Sequence, residues 1–135
     1  MFKKKAKVIL DTNFFLIPGQ FHVDIFTEIK NLMLEPYILC VLDKTFDELK
    51  GIEIMGKFSD VRAIKLGAAL AHNLIKQQSL KILTSFSDKN VDDSLVEMSK
   101  KGVFIATQDK ELKKRVKEKG AQIITLKQKK YLVLE

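Results

Sequence analysis

Short apolar runs rich in branched residues alternate along the chain with longer segments of helical period. The runs Lys7–Leu10, Tyr37–Leu42, Leu80–Thr84, Val103–Thr107 and Gln122–Leu126 lack clean polar alternation, which predicts strands buried on both faces of a parallel sheet. A last run, Tyr131–Leu134, reads as an edge strand or hairpin. Between these lie predicted helices. Phe21–Leu34 carries Ile25, Phe26, Ile29, Leu32 and Met33 at helical spacing before Pro36. Lys44–Lys50 reads as a short helix ended by Gly51, and Ser59–Gln78 carries a stripe of Val61, Ile64, Ala68, Ala71 and Ile75. Asp92–Lys101 and Lys110–Lys119 each stop at a glycine, Gly102 or Gly120, where a left-handed residue suits a helix end. The alternation predicts an α/β fold with a mainly parallel sheet of about five strands and right-handed crossovers.

With 135 residues, the chain is read as one domain spanning 1–135, with basic extensions at 1–6 and 127–135. Hydrophobic content of 46% and charged content of 30% exclude wholesale disorder. The apolar runs are too short to span a bilayer, and Met1–Lys5 has no apolar segment of a signal peptide behind it. The one cysteine, Cys40, makes neither an intramolecular disulfide nor a zinc site by itself, so a reducing cytoplasmic location is expected. The net charge of +7 admits a polyanionic partner or simply a basic surface. Its distribution is uneven: residues 1–7 carry +4, residues 8–99 carry −4, and residues 100–130 carry +8.

Open α/β sheets bind ligands beyond the carboxyl ends of their strands, so polar residues following a strand are the candidates. Asp11 follows the first predicted strand directly, with Thr12 and Asn13 behind it. Asp47 and Glu48 lie in the helix after the second strand, Asp92 and Asp93 open the helix after the third, and Asp109 follows the fourth. Helix N-capping accounts equally well for Asp92 and Asp109, and Asp47 reads as a solvated face residue. Several carboxylates at one sheet edge repel one another, and a divalent cation resolves the repulsion. Oxygen ligands without a His or Cys cluster point to Mg²⁺ or Mn²⁺, and His22 and His72 are not spaced as a ligand pair.

Four segments resemble the motifs of PIN-domain nucleases, in the family's order and across most of the chain. They are Val8-Ile9-Leu10-Asp11-Thr12-Asn13, Asp47-Glu48-Leu49, Asp92-Asp93-Ser94-Leu95-Val96 and Ala106-Thr107-Gln108-Asp109-Lys110-Glu111-Leu112. The stretch Phe14-Phe15-Leu16-Ile17-Pro18-Gly19-Gln20-Phe21-His22-Val23-Asp24-Ile25-Phe26 is similar to that of archaeal and eukaryotic PIN proteins related to small-subunit rRNA-processing factors. The resemblance implies a three-layer α/β/α domain and a Mg²⁺- or Mn²⁺-dependent endoribonuclease. By carry-over, Asp11, Glu48, Asp93 and Asp109 hold metal and attacking water, and Asn13 and Thr107 support them. Counting back from Leu95-Val96 favours Asp93 as the family aspartate, which leaves Asp92 as a cap or a second ligand.

RNA, in particular an rRNA precursor, is the expected partner, with ribosome-assembly proteins and a second copy of the chain as further ones and no membrane. Lys110, Lys113, Lys114, Arg115 and Lys117 make a basic helix that starts at Asp109 and is the expected RNA contact. Lys3–Lys5 and Lys127, Lys129 and Lys130 are expected to complete a basic surround. The lack of tryptophan and of an aromatic-rich strand argues against base-specific stacking. Two other readings use the same residues: a toxin-type PIN ribonuclease of a toxin–antitoxin pair, and a non-catalytic RNA-binding assembly factor. A receiver-like phosphate switch does not match the order of acidic and basic residues.

Overall fold

In a computed structural model, residues 4–135 are described; Met1, Phe2 and Lys3 of the N-terminal basic run lie outside the described residues. Among the described residues, six strands form one sheet: β1 (Ala6–Leu10), β2 (Tyr37–Leu42), β3 (Lys81–Leu83), β4 (Val103–Ala106), β5 (Gln122–Lys127) and β6 (Tyr131–Leu134). Their order is β3-β2-β1-β4-β5-β6, parallel throughout except for β6, which returns antiparallel to β5. Tyr131–Leu134 is therefore the hairpin strand, and it raises the expected strand number to six. The α-helices of the described residues cover the two faces: α1 (Ile17–Phe21), α2 (Ile25–Leu32), α3 (Asp43–Met55), α4 (Phe58–Lys76), α5 (Val91–Met98) and α6 (Lys110–Glu118).

Alternate residues of the central strands feed two cores, as the period of a strand requires. Val8, Leu10, Val41, Phe104 and Ala106 pack towards α1–α4, with Phe14, Phe15, Ile25, Ile29 and Ile64. Ile9, Cys40, Leu42 and Ile105 pack on the other face against Leu95 of α5 and Leu112 and Val116 of α6. The result is a three-layer α/β/α arrangement, with β1 and β4 in the middle and buried on both sides.

Three helix boundaries depart from the periodicity. The predicted Phe21–Leu34 helix is broken: a 3₁₀ turn, Thr12–Leu16, runs into α1, His22 takes a left-handed conformation, and Asp24 starts α2 by accepting from Thr27 N. Gly51 does not end the second helix, which continues to Met55 before Gly56. An added Cβ at Gly51 would meet nothing within 4 Å, so the helix passes through it without strain. Close packing instead requires Gly67, whose added Cβ would lie 2.0 Å from Phe15 O where α4 crosses the 3₁₀ turn. Gly120, at φ 95°, is the expected left-handed residue just past α6, whereas Gly102, also left-handed at φ 90°, ends no helix because α5 stops at Met98 and not at Lys101.

Candidate active site

Strand order reverses between β2, β1 and β4, because the chain leaves β1 for one neighbour and reaches the other only after three further helices and a strand. The crevice beyond those carboxyl ends is where an open α/β sheet gathers polar groups. Here it is an open cleft of about 470 Å³, lined by Asp11, Glu48, Asp92 and Asp109 together with Asn13 and Asn90. Each carboxylate comes from a different strand–helix connection. Asp11 follows β1, Glu48 projects from α3 after β2, Asp92 lies in the first turn of α5 after β3, and Asp109 caps α6 after β4.

Asp11 is 3% exposed and held at both oxygens. Its Oδ1 accepts from Thr12 N at 2.8 Å and its Oδ2 from Thr107 Oγ1 at 2.7 Å. Thr107, fully buried at the end of β4, also accepts from Asp109 N at 3.1 Å, so one hydroxyl links the two central aspartates. Thr12 plays the corresponding part on the other side, donating its Oγ1 to Glu48 Oε1 at 2.6 Å. Asp109 caps α6 through Leu112 N at 3.0 Å, so the capping and site roles expected for it coincide in one residue.

Burial pushes the Asp11 carboxyl up to about 6 against the pull of its two hydrogen bonds, with Asp92 and Glu48 adding repulsion. Asp92 is also pushed up, first by burial and then by Asp109 and Glu48, with Arg115 opposing. The cleft is thus a concentration of negative charge built without a balancing cation in its lining. Among the described residues, no three acidic, histidine or cysteine side chains are already drawn into a closed ion cage. The donor set nevertheless fits a hard divalent cation: it is all oxygen, mutually repelling, and keeps acceptor capacity beyond the bonds it makes.

The two aspartates of the third motif separate. Asn90, not Asp92, caps α5, with Oδ1 accepting from Asp93 N at 2.8 Å. That cap leaves Asp92 lining the cleft and turns Asp93 to Arg115, whose Nη2 donates to Asp93 Oδ1 at 2.8 Å. Asp93, expected as the ligand, does not line the cleft; the helix begins one residue earlier than its acidic pair suggested. Thr12 and Asn90 are the residues the motif reading gave no role. The Ser/Thr/Asn bias for N-caps was the available signal for Asn90.

Other candidates fall elsewhere. Asp47 is exposed and does not line the cleft. His22 ends α1, and His72 of α4 stacks on Phe46 with ring centroids 5.4 Å apart. On α6, Lys113 pairs with Glu135 at 3.1 Å and Arg115 with Asp93, leaving Lys110, Lys114 and Lys117 exposed. Lys4 and Lys5 do not surround the cleft at all. They precede β1, and six residues of extended chain put Lys5 about 20 Å from Asp11.

Residues 8–129 match the family described as PIN like domain. The chain belongs to that family. It is 27% identical over 128 residues to Ribonuclease VapC4 of Methanocaldococcus jannaschii, covering 93% of both chains. It also superposes on the structure of the PIN domain endonuclease Utp24, with a TM-score of 0.71 and 24% identity over 96% of this chain and 90% of that one. The PIN assignment accounts for the fold, and the four motifs that suggested it bring four carboxylates to one cleft once Asp92 replaces Asp93.

Proposed function

We propose that this PIN domain is a metal-dependent endoribonuclease that hydrolyses RNA phosphodiester bonds, with precursor rRNA as its substrate. The observation that carries the reading is the convergence of Asp11, Glu48, Asp92 and Asp109 on one cleft from four strand ends. Similarity to a ribonuclease along 93% of the chain supports an RNA substrate. The rRNA assignment rests on the segment after the first motif. Within the fold that segment packs and turns the chain: Phe14, Phe15 and Ile17 are buried, and Gln20 Nε2 reaches Asp60 Oδ1 at 3.3 Å.

Asp11, Glu48, Asp92 and Asp109 would hold Mg²⁺ or Mn²⁺. Such an ion activates water and offsets charge on the phosphate and the leaving oxygen. The chain's own groups do the positioning. Thr107 fixes Asp11 relative to the start of α6, and Thr12 fixes Glu48 relative to Asp11. Asn13, exposed at the cleft mouth, offers an amide to a ribose or phosphate oxygen. Lys110 and Lys114, on the helix that starts at Asp109, draw the polyanion towards an otherwise repellent cleft.

Incubation of wild-type protein and Asp11→Asn with precursor-rRNA fragments tests this, with Mg²⁺, Mn²⁺ or chelator. Cleavage by wild type only, and only with metal, is the expected result. Equal cleavage by Asp11→Asn would end the assignment, and metal-indifferent binding without cleavage would select the assembly-factor reading. A toxin-type role predicts growth arrest on expression, which an rRNA-processing enzyme does not.

A further inference from the structure

We propose that the amino-terminal edge of the sheet is a second RNA site, one that grips the phosphodiester backbone away from the cleft. The inference rests on the reading that this chain acts on RNA. A cavity of about 280 Å³ lies at this edge, lined by Lys4, Lys5, Lys7, Lys100 and Lys101, with Glu35 as the lone acid. The two lysine-bearing segments are fixed side by side by Lys7 N, which donates to Gly102 O at 3.0 Å, and the second is itself held in a turn by Val103 N donating to Lys100 O at 3.1 Å. Among the described residues the ion pairs are Lys113–Glu135 and Arg115–Asp93, so none of the five lysines is paired. Five unpaired ammonium groups around one concavity repel one another, and a chain of phosphates relieves that repulsion at several of them together.

The cavity is joined to the cleft by a basic track. Helix α6 starts at Asp109 in the cleft and ends beside the lysine cavity, where Gly120 faces the backbone of Lys101 and Lys100. Lys110, Lys114 and Lys117 are exposed and spaced i, i+4 and i+7, one stripe along the helix. Nine helical residues extend about 14 Å, which leads an RNA strand from the cleft to the far edge of the sheet. The cavity lining has no aromatic side chain and no amide to read a base edge, so the grip is on backbone and independent of sequence.

The test is equilibrium binding of a single-stranded RNA of about 30 nucleotides across a salt titration. The parent is Asp11→Asn, so that RNA is not cut, and the variant adds Lys4→Gln, Lys5→Gln, Lys100→Gln and Lys101→Gln. Losing four phosphate contacts at about 0.7 each should make the slope of log K against log salt shallower by about 3. Affinity should fall at least about tenfold, and Arg at the same four positions should restore both. These side chains are exposed, and matching thermal melts of parent and variants verify the fold. Unchanged slope and affinity would overturn the proposal, as would a loss that Arg does not restore. The nuclease reading fails separately: if wild type cuts no RNA with any metal but the lysine-dependent slope persists, the second site stands without it.

Discussion

Replacing Asp11 by Asn should make the metal-free protein more stable at neutral pH while removing activity. Asp11 is 3% exposed, and its carboxyl sits at about 6 instead of the ordinary 3.8, with desolvation as the largest cause. A shift of that size corresponds to about 3 kcal/mol against the charged form in the folded state. The Asn amide keeps an oxygen for Thr12 N but turns an NH₂ towards Thr107 Oγ1, a loss of about 1 kcal/mol. The net gain is about 2 kcal/mol, which for a chain of this length raises the melting temperature by about 7 °C. Because the folded value lies above the unfolded one, the penalty is absent below the unfolded value near pH 4, grows as pH rises to about 6, and is constant above. Wild type should therefore gain stability relative to Asp11→Asn as pH falls from 7 to 4. Thermal or urea unfolding of both proteins in chelator at pH 7 and pH 4 measures this. An Asp11→Asn protein that is equally or less stable at pH 7 would refute the account of Asp11 as a buried, uncompensated charge.

The two acidic residues of α5 should separate in assay: Asp92→Asn should abolish metal-dependent cleavage. Asp93→Asn, which removes a half-exposed pair with Arg115, should change stability by less than about 1 kcal/mol, read by urea unfolding. Lys44 Nζ donates to Phe86 O at 2.8 Å and Lys89 O at 2.7 Å, while Asp43 accepts from Ser85 N at 2.9 Å, clasping the connection that carries Asp92. Lys44→Met should speed amide exchange across residues 85–90 and lower stability by about 1 kcal/mol. Gly67→Ala should destabilise by about 3 kcal/mol by driving a Cβ into Phe15 O, whereas Gly51→Ala should stabilise by about 0.5 kcal/mol within an uninterrupted helix. Paired urea melts compare the two.

The strands were legible because parallel central strands are apolar on both faces, as Val8–Leu10 and Val103–Ala106 are. Helix ends were less so. Asn90 outcompeted Asp92 as a cap through a contact with Asp93 N that composition does not rank, and that single residue of offset decides which aspartate enters the cleft. Gly51 misled because a glycine marks a helix end only where φ must be positive, which it is not at Gly51; at Gly67, inside α4, a glycine is required instead by the close approach of Phe15. The break at His22 had no periodic signal, since Phe21, Ile25 and Ile29 keep helical spacing across it while the backbone turns.

Topology turns position relative to a strand into position in space. In a parallel sheet, residues that precede strands collect at one end and residues that follow them at the other. Lys4 and Lys5 precede β1, and Lys100 and Lys101 precede β4; Asp11 and Asp109 follow the same two strands. The acidic cleft and the lysine cavity therefore lie at opposite ends of one sheet, with α6 running between them, while Lys127, Lys129 and Lys130, at the end of β5, fall at the end that holds the cleft. A cleft that burial and mutual repulsion make hostile to anions needs attraction supplied from outside itself. Neighbouring lysines at the cleft would raise the local concentration of RNA but would also compete for its carboxylates as counter-ions, as Arg115 does at Asp93 just outside it. Placing the densest lysine cluster at the opposite end keeps those carboxylates available to a metal and still holds the polyanion, a division that a single acidic or basic face would not permit.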